Sequence, residues 1–350
     1  MSSPQHITMS IPWVQLTSSV RGPVLAVNNE PLQIPIDRPI PPGILLLGTE
    51  VRARVAKGLI GHEYKIPHSN SVQQYLLLHS TEPFRIIEAV ANIDEYEVPS
   101  PEYAQNFQMY PISDPCDINL KDILSVLVSP FIDVLCIFAA DLGGLAGTAA
   151  YLRSWMLTFA NGGTYRTFPC PRLLVVIDQT LLLMGKPTIY DEALISQIFL
   201  DMITANTAHA LIPICFTSIR ILVLRSPRPR GVAFESIRET VIEEAEVSQR
   251  YRLENSFIYS VQHFQTFFQY ACKQFVESKR YIDFIMASRE KCPVPFSFGN
   301  DMKEFLKTIK ARSDIETHAI PLVASAIFFQ SAPPGMHGMY YSRRSFMTFL

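Results

Sequence analysis

A chain of 350 residues, 48% of them hydrophobic, can bury one large core or two ordinary ones. Its formal net charge of −2 supplies no global field for nucleic acid or an anionic membrane, so neither is expected as a partner. Charged residues make up only 18% and the mean hydropathy is +0.15, which points to extensive burial or to a face that meets a protein partner.

Residues 1–16 carry neither a basic start nor an apolar run, so no secretory signal is read there. Residues 2–42 hold eight prolines. Proline fixes φ and removes a backbone donor, so 1–43 is expected to be an extended arm rather than packed structure.

Strand and helix patterns then alternate across 44–232. The apolar run 44–47 ends at Gly48 as a buried strand does, and 51–60 reads as a helix. Further strands are expected at 74–78 and 84–90. The stretch 123–152 is strongly apolar but is interrupted by Pro130, Asp133 and Asp141. A membrane span needs about 20 mostly apolar residues, and a central charge costs at least ~2.5 kcal/mol, so no span is expected. The reading is a strand over 131–139, closed by Asp141-Leu142-Gly143-Gly144, and a helix over 145–159. A strand at 172–177, a helix at 190–208 and a last strand at 219–224 complete the alternation. The pattern predicts an α/β fold with a mostly parallel sheet flanked by helices.

After Pro227-Arg228-Pro229 the stretch 234–290 has no Gly or Pro, and Phe257, Val261, Phe264, Phe268, Ala271 and Phe275 recur at helical spacing as a core face. A helix at 302–310 and an apolar element at 319–330 follow. The expected organisation is an arm (1–43), an α/β domain (44–232), a helical extension (233–330) and a tail (331–350).

The six cysteines (Cys116, Cys136, Cys170, Cys215, Cys272 and Cys292) show no metal or disulfide spacing, which fits a reducing cytoplasmic setting. Cys136 and Cys215 lie in apolar runs and read as core thiols.

The strand-turn-helix at Gly48 has the layout of a phosphate-binding loop, which needs GxxxxGK[ST] between strand and helix. Glycines let amides wrap phosphates, lysine neutralises them, and the hydroxyl holds magnesium. In that frame Gly48 is the first glycine, Ala53 stands at the second, Arg54 at the lysine and Val55 at the hydroxyl. Glu88, ending Phe84-Arg85-Ile86-Ile87-Glu88, stands where an Asp would reach magnesium through water, with Ala91 for the Gly three residues on. The strand at 172–177 ends in Asp178-Gln179 without an Asn-Lys-x-Asp guanine reader. A buried strand that simply ends in glycine before a helix would look the same.

The order of elements resembles the GTPase-like region found beside patatin-type acyl hydrolase domains in large fungal proteins. Local strings carry the likeness: Phe131-Ile132-Asp133-Val134-Leu135-Cys136-Ile137-Phe138, Leu152-Arg153-Ser154-Trp155, Asp283-Phe284-Ile285-Met286-Ala287-Ser288-Arg289 and Pro333-Pro334-Gly335-Met336-His337. It spans about 44–337. The resemblance implies a P-loop-NTPase-like fold whose vestigial nucleotide site comprises Gly48, Thr49, Arg54 and Glu88. Intact members read like Gly-Asp-Thr-Gly-Ala-Gly-Lys-Ser-Thr, and this chain departs at nearly every position after Gly48. The hydrolase part does not carry over, because no Gly-x-Ser-x-Gly elbow occurs and the chain ends soon after His337.

Other motifs are weaker. Gly185-Lys186-Pro187-Thr188 lacks a first glycine and has proline after its lysine. His62, Glu63 and His68 space their histidines six apart across Pro67, which suits a loop rather than a zinc helix. Arg225, Arg228 and Arg230 precede Glu235, Glu239, Glu243 and Glu244, which predicts local pairing. His337 reads as a structural turn histidine. The expectation is therefore a non-catalytic accessory or protein-interaction module, with no catalytic residues, cofactor or metal. The alternatives are a weakly active nucleoside triphosphatase with an atypical loop and a hydrolase with an unrecognised site.

Overall fold

The protein is described here by a computed structural model over residues 6–19, 22–28, 34–60, 71–78, 83–90, 107–112, 118–161, 170–178, 192–204, 210–224, 230–254, 258–291, 295–310 and 323. The expected arm is instead sheet. Strand β1 (His6–Ser19) and β2 (Gly22–Asn28) pair antiparallel, with Val14 opposite Val27. Trp13, Val14, Leu16 and Val24 to Val27 are buried. The proline count misled because Pro12 sits at a register shift and Pro23 near the hairpin end, where no ladder donor is needed.

Strands β3 (Gly43–Gly48), β4 (Ser71–Leu78), β5 (Pro83–Val90), β6 (Phe107–Pro111), β7 (Val134–Phe138), β8 (Arg172–Asp178) and β9 (Ser218–Leu224) complete a nine-stranded sheet ordered β6-β2-β1-β4-β5-β3-β7-β8-β9. β5, β3, β7, β8 and β9 run parallel, whereas β4 is antiparallel to β5 and to β1. The four strands expected at 44–47, 131–139, 172–177 and 219–224 thus share one sheet. β7 is shorter than its apolar run because 120–131 winds into successive α, π and 3-10 turns. A reciprocal cap starts them, with Asp122 N donating to Asn119 Oδ1 at 3.0 Å and Asn119 N to Asp122 Oδ2 at 3.1 Å.

The helices are α1 (Glu50–Ile60), α2 (Gly144–Asn161), α3 (Glu192–Thr204), α4 (Arg230–Glu254), α5 (Val261–Ser278), α6 (Phe284–Lys291) and α7 (Phe298–Lys310), of which α1 to α6 contribute buried residues to the cores. Alternate strand residues feed two cores. Ile44, Leu46, Val134 and Cys136 face α1 and α4, with Val55, Ile237 and Val241. Leu45, Leu47, Leu135 and Ile137 face α2, α3 and α5, with Trp155, Phe199 and Phe267.

The expected aromatic face of α5 is core: Phe268 stacks on Trp13 at 4.4 Å, and Phe131 meets Phe264 edge-on at 5.5 Å. The helical extension therefore covers the amino-terminal strands. Ser260 caps α5 by accepting from His263 N, and the preceding segment is tied across by Ile40 N donating to Tyr259 O at 2.8 Å.

α4 is held by a buried polar stripe, Glu244, Ser248 and Arg252, at successive turns. Glu244 takes Arg172 at 2.5 Å and Arg220 at 2.9 Å. Arg252 Nε lies 2.7 Å from Asp133 Oδ1, while Asp133 Oδ2 accepts from Gly43 N at 2.8 Å. The acidic run thus pairs mainly across to the sheet, with Arg238–Glu235 at 3.8 Å the local pair among the described residues. No helix among the described residues is long and apolar enough to cross a membrane.

Candidate functional site

In open α/β sheets, ligands bind outside the carboxyl ends of strands where the connections reverse direction. Here that point is β3, flanked by β5 on one side and β7 on the other. Helix α1 starts two residues beyond Gly48, at Glu50. Its first amides are unpaired within the helix and face the crevice, as at any helix N-terminus.

A carboxylate of the same chain occupies that position. Asp141 Oδ2 accepts from Thr49 N at 2.7 Å and Arg52 N at 3.0 Å, and Oδ1 accepts from Val51 N at 3.0 Å. Asp141 is carried by the 3-10 turn Ala139–Leu142 that ends β7. The turn is closed by Gly143 at φ 79°, a left-handed residue that costs glycine nothing. A Cβ on Gly48 would collide with Asp141 Oδ2, so the glycine serves the approach of this carboxylate. Gly48→Ala should therefore displace Asp141 and lower stability by ~1–3 kcal/mol in urea unfolding. An unchanged midpoint would return Gly48 to the role of a strand terminator.

Behind the amides sits a second internal pair. Arg52 and Glu88 are 2% and 0% exposed, with Nε 3.9 Å from Oε1, too long for a hydrogen bond. Burial pushes the Glu88 carboxyl up to about 8, opposed by Arg52 and by a hydrogen bond from Tyr75. A cation ligated by Glu88 would have to displace the guanidinium already facing it.

The phosphate-loop frame drawn from spacing is not the one the fold uses. Ala53, Arg54 and Val55 lie inside α1 rather than in a loop. Arg54 is exposed, its Nε 3.4 Å from Glu50 O, and Val55 is buried in the apolar core. Of the four expected site residues, Gly48 and Thr49 meet at the crevice, Glu88 lies behind it against Arg52, and Arg54 turns away. The residues present therefore do not fit a magnesium-bound phosphate: the amides hold Asp141, and the acid faces arginine.

Spacing missed Asp141 and Arg52. The signal for the first was an acid directly after a buried strand and before Gly143-Gly144, and for the second an arginine on the buried face of an amphipathic helix. β8 ends at Asp178, and Gln179 lies outside the described residues. So do His62, Glu63, His68, Gly185 to Thr188, Arg225, Arg228, Phe257, Cys116, Cys292, His337 and, apart from Val323, the 319–330 element.

Cys136, Cys215 and Cys272 are buried, and desolvation pushes each thiol well above its ordinary range. Cys170, donating to Ile214 O, is pushed up to about 11. Such thiols stay protonated and unreactive at neutral pH.

No protein-family model matches the chain, and no curated protein matches it. Solved structures with some likeness include nucleolar GTP-binding protein 1 from Plasmodium falciparum, at TM-score 0.35 and 12% identity over 63% of this chain and 94% of that one. Another is the siderophore hydrolase EstA from Aspergillus nidulans, at TM-score 0.29 and 13% identity over 68% of this chain and 95% of that one. At such TM-scores neither name transfers.

Proposed function

We propose that this chain is a non-catalytic, GTPase-like accessory module whose nucleotide position is sealed by its own side chains. The observation that carries the reading is the Asp141 carboxylate on the Thr49, Val51 and Arg52 amides. A helix N-terminus at a sheet's switch point is where a phosphate gains most from amides and helix dipole. Asp141 takes the same bonds without a loss of translational freedom, so an incoming phosphate must displace it, while Arg54 and Val55, at the motif's lysine and hydroxyl positions, point to solvent and into the core. If two charge-assisted contacts worth ~1.5–3 kcal/mol each are lost, affinity falls by roughly two to four orders of magnitude. A fold in this state acts through the surface it presents to a protein partner.

Calorimetric titration with magnesium GTP and magnesium ATP is expected to give no binding tighter than millimolar. Low-micromolar, magnesium-dependent binding of either nucleotide would overturn the reading and restore an active triphosphatase. Asp141→Ala should lower stability by ~2–3 kcal/mol, since three amides lose a charged acceptor and gain only water. Coupled to Gly48→Ala, its cost should be well below additive, because both changes break the same contact. Full additivity would show that Asp141 and Gly48 do not act as one unit.

A further inference from the structure

At the opposite ends of the strands, β5 carries a buried cation that has no carboxylate of its own among the described residues. Arg85 is 1% exposed. Its Nε donates to Pro41 O at 2.9 Å, Nη1 to Gln74 Oε1 at 3.2 Å and Nη2 to Phe131 O at 3.0 Å. The guanidinium also lies 4.6 Å from the Phe264 ring centroid. Every one of these partners is neutral, and among the described residues no carboxylate pairs with Arg85. The nearby acid, Asp133, is committed to Arg252, Ser248 and Gly43 N. Burial pulls Arg85 down to about 10, with Asp133 opposing and Arg252 adding to the effect. Two buried cations thus share one carboxylate, and buried charge is ordinarily paired.

A second observation falls at the same place. Arg85, Asp133, Gln249, Arg252, Tyr259 and Phe264 help line a cavity of about 20 Å³. Tyr259 is 2% exposed, and its hydroxyl has no hydrogen-bond partner among the described residues. The space suits one occupant about the size of a water molecule, too small for phosphate or a nucleotide. Water would satisfy the tyrosine but leave the local charge at plus one.

We propose that this cavity binds a small monovalent anion, chloride by size and charge, between Arg85, Arg252 and the Tyr259 hydroxyl. The ion supplies the missing negative charge where β5, α4 and the start of α5 converge. It therefore locks the helical extension onto the sheet, independently of the sealed crevice at the other end.

The test is thermal unfolding of the full chain at constant ionic strength, with sodium gluconate exchanged for sodium chloride or bromide. Between ~5 and ~300 mM chloride, Tm is expected to rise by ~2–4 °C for a site of ~10 mM affinity. Tyr259→Phe, which removes only an unpartnered hydroxyl, should fold and lose most of that rise. Arg85→Gln should abolish it if the variant folds. Crystals grown in bromide should show an anomalous peak in the cavity. A Tm indifferent to halide, a halide effect unchanged in Tyr259→Phe, or a bromide-free cavity would each reject the site in favour of water alone.

Discussion

Asp133→Ala should lower the unfolding free energy by about 3–5 kcal/mol, among the largest effects of any single substitution in this chain. The carboxylate accepts from Gly43 N at 2.8 Å and Ser248 Oγ at 3.2 Å, and it lies 2.7 Å from Arg252 Nε. Its own backbone amide donates to Gly43 O at 2.7 Å, so this one residue fixes the entry of β3, the entry of β7 and the last turns of α4. Both ionic side chains are 7% exposed or less. Removing the acid leaves Arg252 buried with, among the described residues, the Ile132 carbonyl 2.7 Å away as its remaining hydrogen-bond partner, and a buried charge without its counter-ion is more costly than no pair at all. Urea unfolding measures the loss. Asp133→Ala combined with Arg252→Met should recover part of it, because the stranded cation goes with its partner. A cost for the single change below ~1 kcal/mol would mean that Arg252 reaches solvent and that α4 is held by its apolar face alone.

Legibility in the sequence divided along the line between local and long-range causes. The buried strands at 44–47 and 172–177 were visible because a strand covered on both faces reads as an unbroken apolar run, whatever lies next to it. The α5 aromatics were visible for a similar reason, since helical periodicity is a property of one segment. β1 and β2 were hidden by prolines whose effect depends on which ladder position they take, and only the pairing decides that. The crevice was hidden more deeply. Asp141 and Thr49 are separated by 92 residues, and no spacing rule links a turn after one strand to the helix after another. Assigning Arg54 to the lysine position assumed a loop of ordinary length. With α1 beginning at Glu50, Arg52 takes the buried side of the first turn and Arg54 faces water.

The stability of the wild type relative to Glu88→Gln should fall as pH rises between about 5 and 8. Glu88 has an ordinary value of 4.5 and is raised to about 8 in the folded chain, chiefly by burial. Between those values the unfolded chain has released this proton while the folded chain keeps it. Unfolding therefore releases a proton, and each rise in pH favours the unfolded state, with a slope approaching ~1.4 kcal/mol per pH unit. The contribution is fully present below 4.5 and is lost as pH passes through about 8. Glutamine keeps the neutral shape and has nothing to titrate, so the two proteins should match near pH 5. Glutamine should be the more stable by a few kcal/mol at pH 8 and above. Denaturant unfolding at stepped pH reads the difference directly. The opposite sign, with the glutamine protein weaker at neutral pH, would mean that the 3.9 Å approach to Arg52 closes into a true ion pair in solution. The expected sign bears on the crevice as well: a Glu88 that keeps its proton at pH 7 offers no charge to a divalent cation, and recruiting one would cost both that proton and the place of Arg52.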